Sequence, residues 1–534
     1  MAERIHLYDT TLRDGAQTQG VDFSADDKAT IARALDRLGV DYVEGGWPGA
    51  NPTDDAFFAA APALGRARLA AFGMTRRPDR SAANDPGLSL LLDSGAASVC
   101  LVGKTWDFQV DVALGIARDD NLAMIADSLA RVAAAGREPL FDAEHFFDGF
   151  KANPDYALAC LRAAHAGGAA WLVLCDTNGG TLPDDVSRIV AAVAAALPGA
   201  HLGMHAHDDT GNAVANSLAA VEAGARMVQG TLNGLGERCG NANLTTLIPT
   251  LALKSGGRWQ TGVDAAGLVT LTRTSRLLDE LLNRAPDRHA PYVGEAAFAH
   301  KGGLHVAAIA RDPRTYEHVD PALVGNRRHI VVSDQSGRAN VLARLREADI
   351  ALAPDDVRIA RLVEAVKARE HEGYSYDGAE ASFELLARRA LGEVPSYYAV
   401  DSFRVEVERR PSAGGAATVS QAVVKVTVGG ENRMEVAEGA GPVNALDAAL
   451  RKALVPVYPE LADVRLTDFR VRIVTPRLGT AAVVRVMVEH SDGEGGRWAT
   501  VGLSDNIIEA AAEALEDGIV HLLLRRRGGP RDAH

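Results

Sequence analysis

At 534 residues, the chain has room for about two to four domains, and its 47% hydrophobic and 24% charged content is that of a folded globular protein, not a disordered one. A formal net charge of −14 argues against nonspecific nucleic-acid binding, which takes a basic surface. No apolar run reaches the roughly 18 residues of a membrane span, and four cysteines without a CxxC pair make neither a disulfide framework nor a zinc knuckle, so we expect a cytoplasmic protein with reduced thiols and no membrane partner.

Short apolar runs recur in chain order: "IHLYD" (5–9), "VDYVEGG" (40–46), "ARLAAFG" (67–73), "ASVCLVG" (97–103), "EPLFDAEH" (138–145), "WLVLCDT" (171–177), "HLGMHAH" (201–207) and "RMVQGT" (226–231). The first follows "MAER" directly, with no long apolar signal segment before it. Alanine-rich segments of helical periodicity lie between the runs and often end at glycine, which suits a C-terminal cap. Eight strand-helix units in 250 residues or so predict a parallel (β/α)8 TIM barrel. A doubly wound open sheet is the alternative, but no GxGxxG follows the first run, which disfavours its dinucleotide-binding form.

Polar residues gather just past the run ends: Asp14 after the first, Glu144 after the fifth, Asp176 and Thr177 after the sixth, His205 and His207 after the seventh, and Thr231, Asn233 and Asn241 after the eighth. In a barrel these all lie on the C-terminal rim, where active sites sit. The most informative stretch is "MHAHDDTGNAVANS" (204–217). Residues i and i+2 of a strand point the same way, so His205 and His207 can aim two imidazoles at one point and hold a divalent metal. A pair of solvated histidines at a strand end is the plainer alternative. Asp14 is the candidate third ligand, Asn241 a neutral oxygen ligand, and Asp208 and Asp209 are expected to orient the ring N–H groups.

Arg13 beside Asp14 reads alone as a surface ion pair, which contributes little. Next to a metal it acquires a task, because a guanidinium holds the carboxylate or carbonyl oxygen of a small oxo-acid. Glu144 is placed to support the reacting oxygens or a water. Glu237 and Arg238 are expected to pair within the glycine-dense loop "TLNGLGERCGNANLTT" (231–246), and Cys239 to be a small packing residue in preference to a ligand or nucleophile. His145 and His165 are assigned structural places. A Schiff-base Lys104 is disfavoured, since the metal set makes that route unnecessary.

With these residues in view, "DTTLRDGAQ", "HAHDDTG" and "GLGERCGNANL" resemble the metal-dependent acyl-CoA condensing and lyase enzymes. This family includes the 2-isopropylmalate, homocitrate and citramalate synthases and hydroxymethylglutaryl-CoA lyase. The likeness continues through "AFAHKGGLHVAAI" and "TYEHVDPALVGN" into the C-terminal region. "YVEGGWPGANPTDDAFF" and "FDAEHFFDGFKANPDYAL" are most similar to the citramalate branch. The resemblance implies a metal (Mn, Mg or Zn) on Asp14, His205 and His207 with Asn241 nearby. It implies a keto-acid on Arg13 and Thr177, and a general base at His305, partnered by Tyr316, with His300 the lesser alternative. The implied substrates are acetyl-CoA and pyruvate.

Beyond the barrel, residues 266–395 read as helical linker subdomains carrying His305 and Tyr316, with "REHEGYSYDGAEASFELLARRAL" either a family connector or a polar hinge before a helix. Residues 396–534 form a C-terminal α+β domain: period-two runs "FRVEVERR", "SQAVVKVTV", "VRLTDFRVRIV" and "AAVVRVMVEH", with helical stretches at 441–454 and 504–523, give strands then helix, twice. The resemblance makes this an allosteric and dimerisation domain that binds the feedback amino acid, isoleucine, in a homodimer. The basic tail "LLLRRRGGPRDAH" is expected to fray.

Overall fold

The computed structural model describes residues 2–330, 338–353, 355–412, 415–475, 479, 481–492 and 496–527. The chain divides into two compact units, one of residues 1–298 with 318–328 and the other of residues 299–317 with 329–534.

The first unit is a closed barrel of eight parallel strands: β1 (His6–Asp9), β2 (Tyr42–Gly46), β3 (Arg68–Met74), β4 (Ser98–Lys104), β5 (Glu138–Glu144), β6 (Trp171–Asp176), β7 (Leu202–Ala206) and β8 (Met227–Gly230). β8 closes on β1, with His6 opposite Met227 and Asp9 opposite Gly230. All eight expected runs are strands, and the open-sheet alternative falls. The first helix, Ala25–Leu38, shows how local sequence delimits each unit. Ser24 and Asp27 form a reciprocal capping box, and Gly39 ends the helix at φ 103° in the left-handed region. Leucine, valine and alanine from the outward strand faces and the helices make the main core. Tyr8, Tyr42, Leu140, Trp171 and Met227 fill the barrel interior, leaving polar side chains above them.

The second unit opens with two short parallel pieces, Ala299–His300 against His329–Ile330, and the helices Gly303–Ile309, Arg338–Glu347, Val357–Glu372 and Glu380–Leu391. Two antiparallel sheets follow. β9 (Tyr398–Ser412), β10 (Gly415–Val428) and β11 (Glu431–Gly439) lead into the helix Pro442–Leu454. β12 (Arg465–Ile473), β13 (Val484–Ser491) and β14 (Arg497–Ser504) lead into Ile507–Arg527.

Each repeat thus has three strands, where the period-two reading found two. The missed β11 contains "ENRMEVAEG", whose side chains alternate between exposed and half-buried without an apolar stripe. It pairs because Gly429 and Gly430, at φ 61° and 80°, make the tight two-residue turn that a hairpin needs. The connector at 369–391 is not a polar hinge either: Tyr374 and Tyr376 are buried with Phe383 in an apolar cluster. The tail is helical through Arg527, and its last seven residues, 528–534, lie outside the described residues. Among the described residues, no helix is long and apolar enough to cross a membrane.

Candidate metal centre and oxo-acid pocket

β1 ends at Asp9, whose carboxylate accepts from the Thr11 backbone N–H at 2.8 Å and the Thr11 hydroxyl at 2.9 Å. Gly15 N–H returns to the Thr10 carbonyl at 3.1 Å, so the chain folds tightly back over the barrel mouth. This turn delivers Arg13 and Asp14 to the C-terminal rim.

Asp14 is buried and faces the seventh strand. Its Oδ2 lies 3.4 Å from His205 Nε2 and 3.2 Å from Arg13 Nη1. His205, on β7, and His207, just beyond it, project together, with their Nε2 atoms 3.4 Å apart. One potential ligand atom from each of Asp14, His205 and His207 lies within 4.8 Å of the others. Asn241 bridges to His207 through the backbone. Its buried amide oxygen and nitrogen, Asp14 Oδ1 and His207 Nδ1 have no hydrogen-bond partner. Buried polar atoms are normally satisfied. A carboxylate and two imidazoles around one point, one of the carboxylate oxygens orphaned, therefore fit a divalent cation.

The electrostatics set the three groups apart. Burial alone would raise the Asp14 carboxyl, but Arg13 and the two imidazoles hold it far below the usual carboxylate range. Burial, aided by the neighbouring His205, pushes His207 down to about 3, which keeps its ring in the neutral form that binds metals. His205 moves the other way: burial opposes its charge, but the Asp14 contact outweighs it.

Arg13 is no surface ion pair. Its Nε donates to Glu44 Oε2 at 2.7 Å, and Tyr8 O–H donates to Glu44 Oε1 at 2.8 Å. Its guanidinium carbon stands 3.8 Å from the Phe72 ring centroid. Arg13, Asp14, Glu144, Thr177, His205 and His207 all line one cavity of about 280 Å³. Lys104 Nζ sits 2.6 Å from Glu144 Oε2, an ion pair that gives Lys104 a role other than Schiff-base chemistry. Thr177 Oγ1 accepts the His145 N–H at 2.8 Å, and His145, at φ 57°, starts the helix Phe146–Ala152.

His305 and Tyr316 belong to the second unit, where their rings stack with centroids 4.0 Å apart. His300 is engaged with Glu317 at 3.2 Å.

Several expectations are corrected. Asp208 and Asp209 do not orient the imidazoles: Asp208 accepts from the Ala213 N–H at the next helix, and Asp209 pairs with Arg238 at 2.7 Å. Glu237 is therefore only a looser partner of Arg238, at 3.8 Å. Cys239 is exposed, not packed. Asn233 turns away from the cavity to the Ser275 carbonyl and Asp279, and Asp176 accepts from Thr181 in a local turn. The residues that do support the site, Glu44, Asp142 and Gln229, went unread. Each is a polar residue inside a barrel strand and fully or nearly fully buried. That is the signal that would have found them.

Residues 4–275 match the HMGL-like family model, residues 292–373 the homocitrate synthase post-HMGL domain-like model, and residues 377–523 the LeuA allosteric (dimerisation) domain. The chain is 51% identical over 523 residues to an (R)-citramalate synthase from a Synechocystis species, covering 96% of this chain and 95% of that protein. It is 46% identical over 527 residues to an (R)-citramalate synthase from Aquifex aeolicus, covering 98% and 99%. A 2-isopropylmalate synthase from Carboxydothermus hydrogenoformans is more distant, 31% identical over 531 residues and covering 98% of each chain.

Proposed function

This chain belongs to the (R)-citramalate synthase family, and from that premise we propose that it condenses acetyl-CoA with pyruvate and water to give (R)-citramalate and CoA. It is an acyltransferase in which the acetyl group becomes an alkyl group on transfer. The observation that carries the reading is the meeting of Arg13 with the Asp14, His205 and His207 donor set at one cavity.

Asp14, His205 and His207, with Asn241 beside His207, would hold a divalent cation (Mn, Mg or Zn), which would supply positive charge beside the ketone oxygen. Arg13, aimed by Glu44, holds the pyruvate carboxylate, and Thr177 completes the oxo-acid pocket. His305, stacked on Tyr316, takes a proton from the acetyl methyl group; imidazole is the usual side chain for such a transfer. The methyl carbon then bonds to the ketone carbon as the C=O π bond opens, the ketone oxygen gains a proton to become the product hydroxyl, and Glu144, held by Lys104, supports the oxygens that change charge. Water finally cleaves the thioester C–S bond, releasing the CoA thiol.

We assign residues 1–265 to catalysis, 266–395 to the linker that supplies His305 and Tyr316, and 396–534 to an allosteric and dimerisation domain. Three family models match successive parts of the chain in the same order, at 4–275, 292–373 and 377–523. The product feeds isoleucine synthesis through 2-oxobutanoate in the cytoplasm, and isoleucine is the feedback ligand of a homodimer.

The test follows free CoA thiol from acetyl-CoA, Mn or Mg, and one 2-oxoacid at a time. Pyruvate should show the highest kcat/KM. A higher value with 2-oxoisovalerate would make the chain a 2-isopropylmalate synthase, and no release with any oxoacid would make it a non-catalytic sensor.

A further inference from the structure

A chain of buried polar groups runs from the metal centre into the barrel. His205 and Gln229 are register partners on β7 and β8, so their side chains emerge on the same face of the barrel wall. His205 Nδ1 lies 2.8 Å from Gln229 Oε1, and Gln229 Nε2 donates to Asp142 Oδ1 at 2.9 Å from across the barrel interior. Gln229 is 0% exposed and Asp142 3%.

We propose that Asp142 and Gln229 are positioning residues that together hold a proton on His205 Nδ1 and so reserve Nε2 as the ring nitrogen that meets a cation beside Asp14 and His207. Donors and acceptors along the chain must alternate. Burial raises the Asp142 carboxyl, but its Oδ1 accepts the Gln229 NH2 in either protonation state. The Gln229 carbonyl oxygen then faces His205, and an oxygen at 2.8 Å requires N–H on the imidazole side. The remaining ring nitrogen is the one that points at Asp14 Oδ2. Metal-binding histidines commonly depend on such an acceptor behind the ring, and its loss typically costs about 10–100-fold in metal affinity. Here the acceptor is an amide whose orientation is set by a second residue, so a change at Asp142, which touches neither metal nor ring, reaches the ligand.

This inference rests on the metal-site reading above, and the experiment separates the two. Mn2+ alone is titrated into metal-free wild type, Asp142→Asn and the double variant Asp142→Asn/Gln229→Glu, with thermal midpoints recorded in parallel. The amide introduced by Asp142→Asn can turn either end toward Gln229, so this variant should bind Mn2+ at least about tenfold more weakly at a near-wild-type midpoint. In the double variant, the carboxylate introduced by Gln229→Glu can only accept, both from His205 and from the new amide, so affinity should return to within a few-fold of wild type. Wild-type affinity in Asp142→Asn, or no recovery in the double variant, would overturn the relay. A 15N-histidine spectrum of the wild-type chain, with His205→Gln identifying the relevant signals, decides the tautomer even if a variant does not fold. With Mg2+ bound, protonated Nδ1 beside unprotonated Nε2 supports the relay, and unprotonated Nδ1 refutes it. Failure of the wild type to bind Mn2+ would instead strike the metal-site reading.

Discussion

Arg13 and Glu44 lie 31 positions apart, one just past β1 and the other on the neighbouring β2, and meet at 2.7 Å, nitrogen to oxygen, with the carboxylate fully buried. Glu44 takes one edge of the guanidinium and Asp14 contacts another, so two carboxylates steer one cation across the mouth of the cavity. A surface ion pair would have been free to swing. This one is aimed.

The aim can be tested at Arg13. Arg13→Lys keeps the charge but loses the planar fork that serves Glu44, Asp14 and a substrate carboxylate together. We expect bound metal near wild type and kcat/KM down roughly 100-fold or more. Asp14→Ala should lose metal and turnover together. Metal analysis beside the CoA-release assay separates the two, and activity retained in both would return the pair to a surface role.

Removing the other partner tests stability. Glu44→Gln leaves the Arg13 charge short of a counter-ion in a buried site, which should cost about 3 kcal/mol of unfolding free energy. Denaturant unfolding of the metal-free protein reads this directly. A change below about 1 kcal/mol would mean that Asp14 alone balances Arg13.

His305→Ala should remove turnover and leave bound metal unchanged, because the residue is assigned to proton transfer and not to the donor set. Rates measured with metal content on the same sample decide it. Loss of metal would place His305 among the ligands.

A pH effect is expected in the second unit. His490 stacks on Trp498 with centroids 5.6 Å apart, and burial together with the charge of Arg451 pushes it from 6.5 down to about 4. The folded pKa is below the unfolded one, so between these values the unfolded chain binds the extra proton and folding weakens as pH falls. At pH 5 the loss should be about 2 kcal/mol relative to pH 7.5. His490→Gln should flatten this part of the stability profile. An unchanged slope would remove His490 as its cause.

The eight strands and the chemical character of the rim were legible because both signals are local. An apolar run followed by a helical period marks a strand-helix unit. "HAH" fixes two imidazoles on one side whatever the fold, by the two-residue repeat of a strand. Asp14 and Arg13 were found because they follow the first run closely, at the strand end where rim residues belong.

What local pattern could not supply was the partner of each group. Asp208 and Asp209 looked like supports for the histidines because they are next to them in sequence. The ring contact belongs to Gln229, one strand over, with Asp142 behind it across the barrel. Glu44, Asp142 and Gln229 each interrupt an apolar strand, and nothing in the residues around them says why.

The amino-acid order alone therefore determined the barrel, the donor residues and the repeated form of the C-terminal half, because periodicity and strand parity act over a few residues. Only the tertiary structure decided which buried charge faces which, that Cys239 is exposed, and that a third strand completes each C-terminal sheet. Those outcomes depend on contacts between segments far apart in the chain, where hydrogen-bond satisfaction and desolvation, not local pattern, select the arrangement.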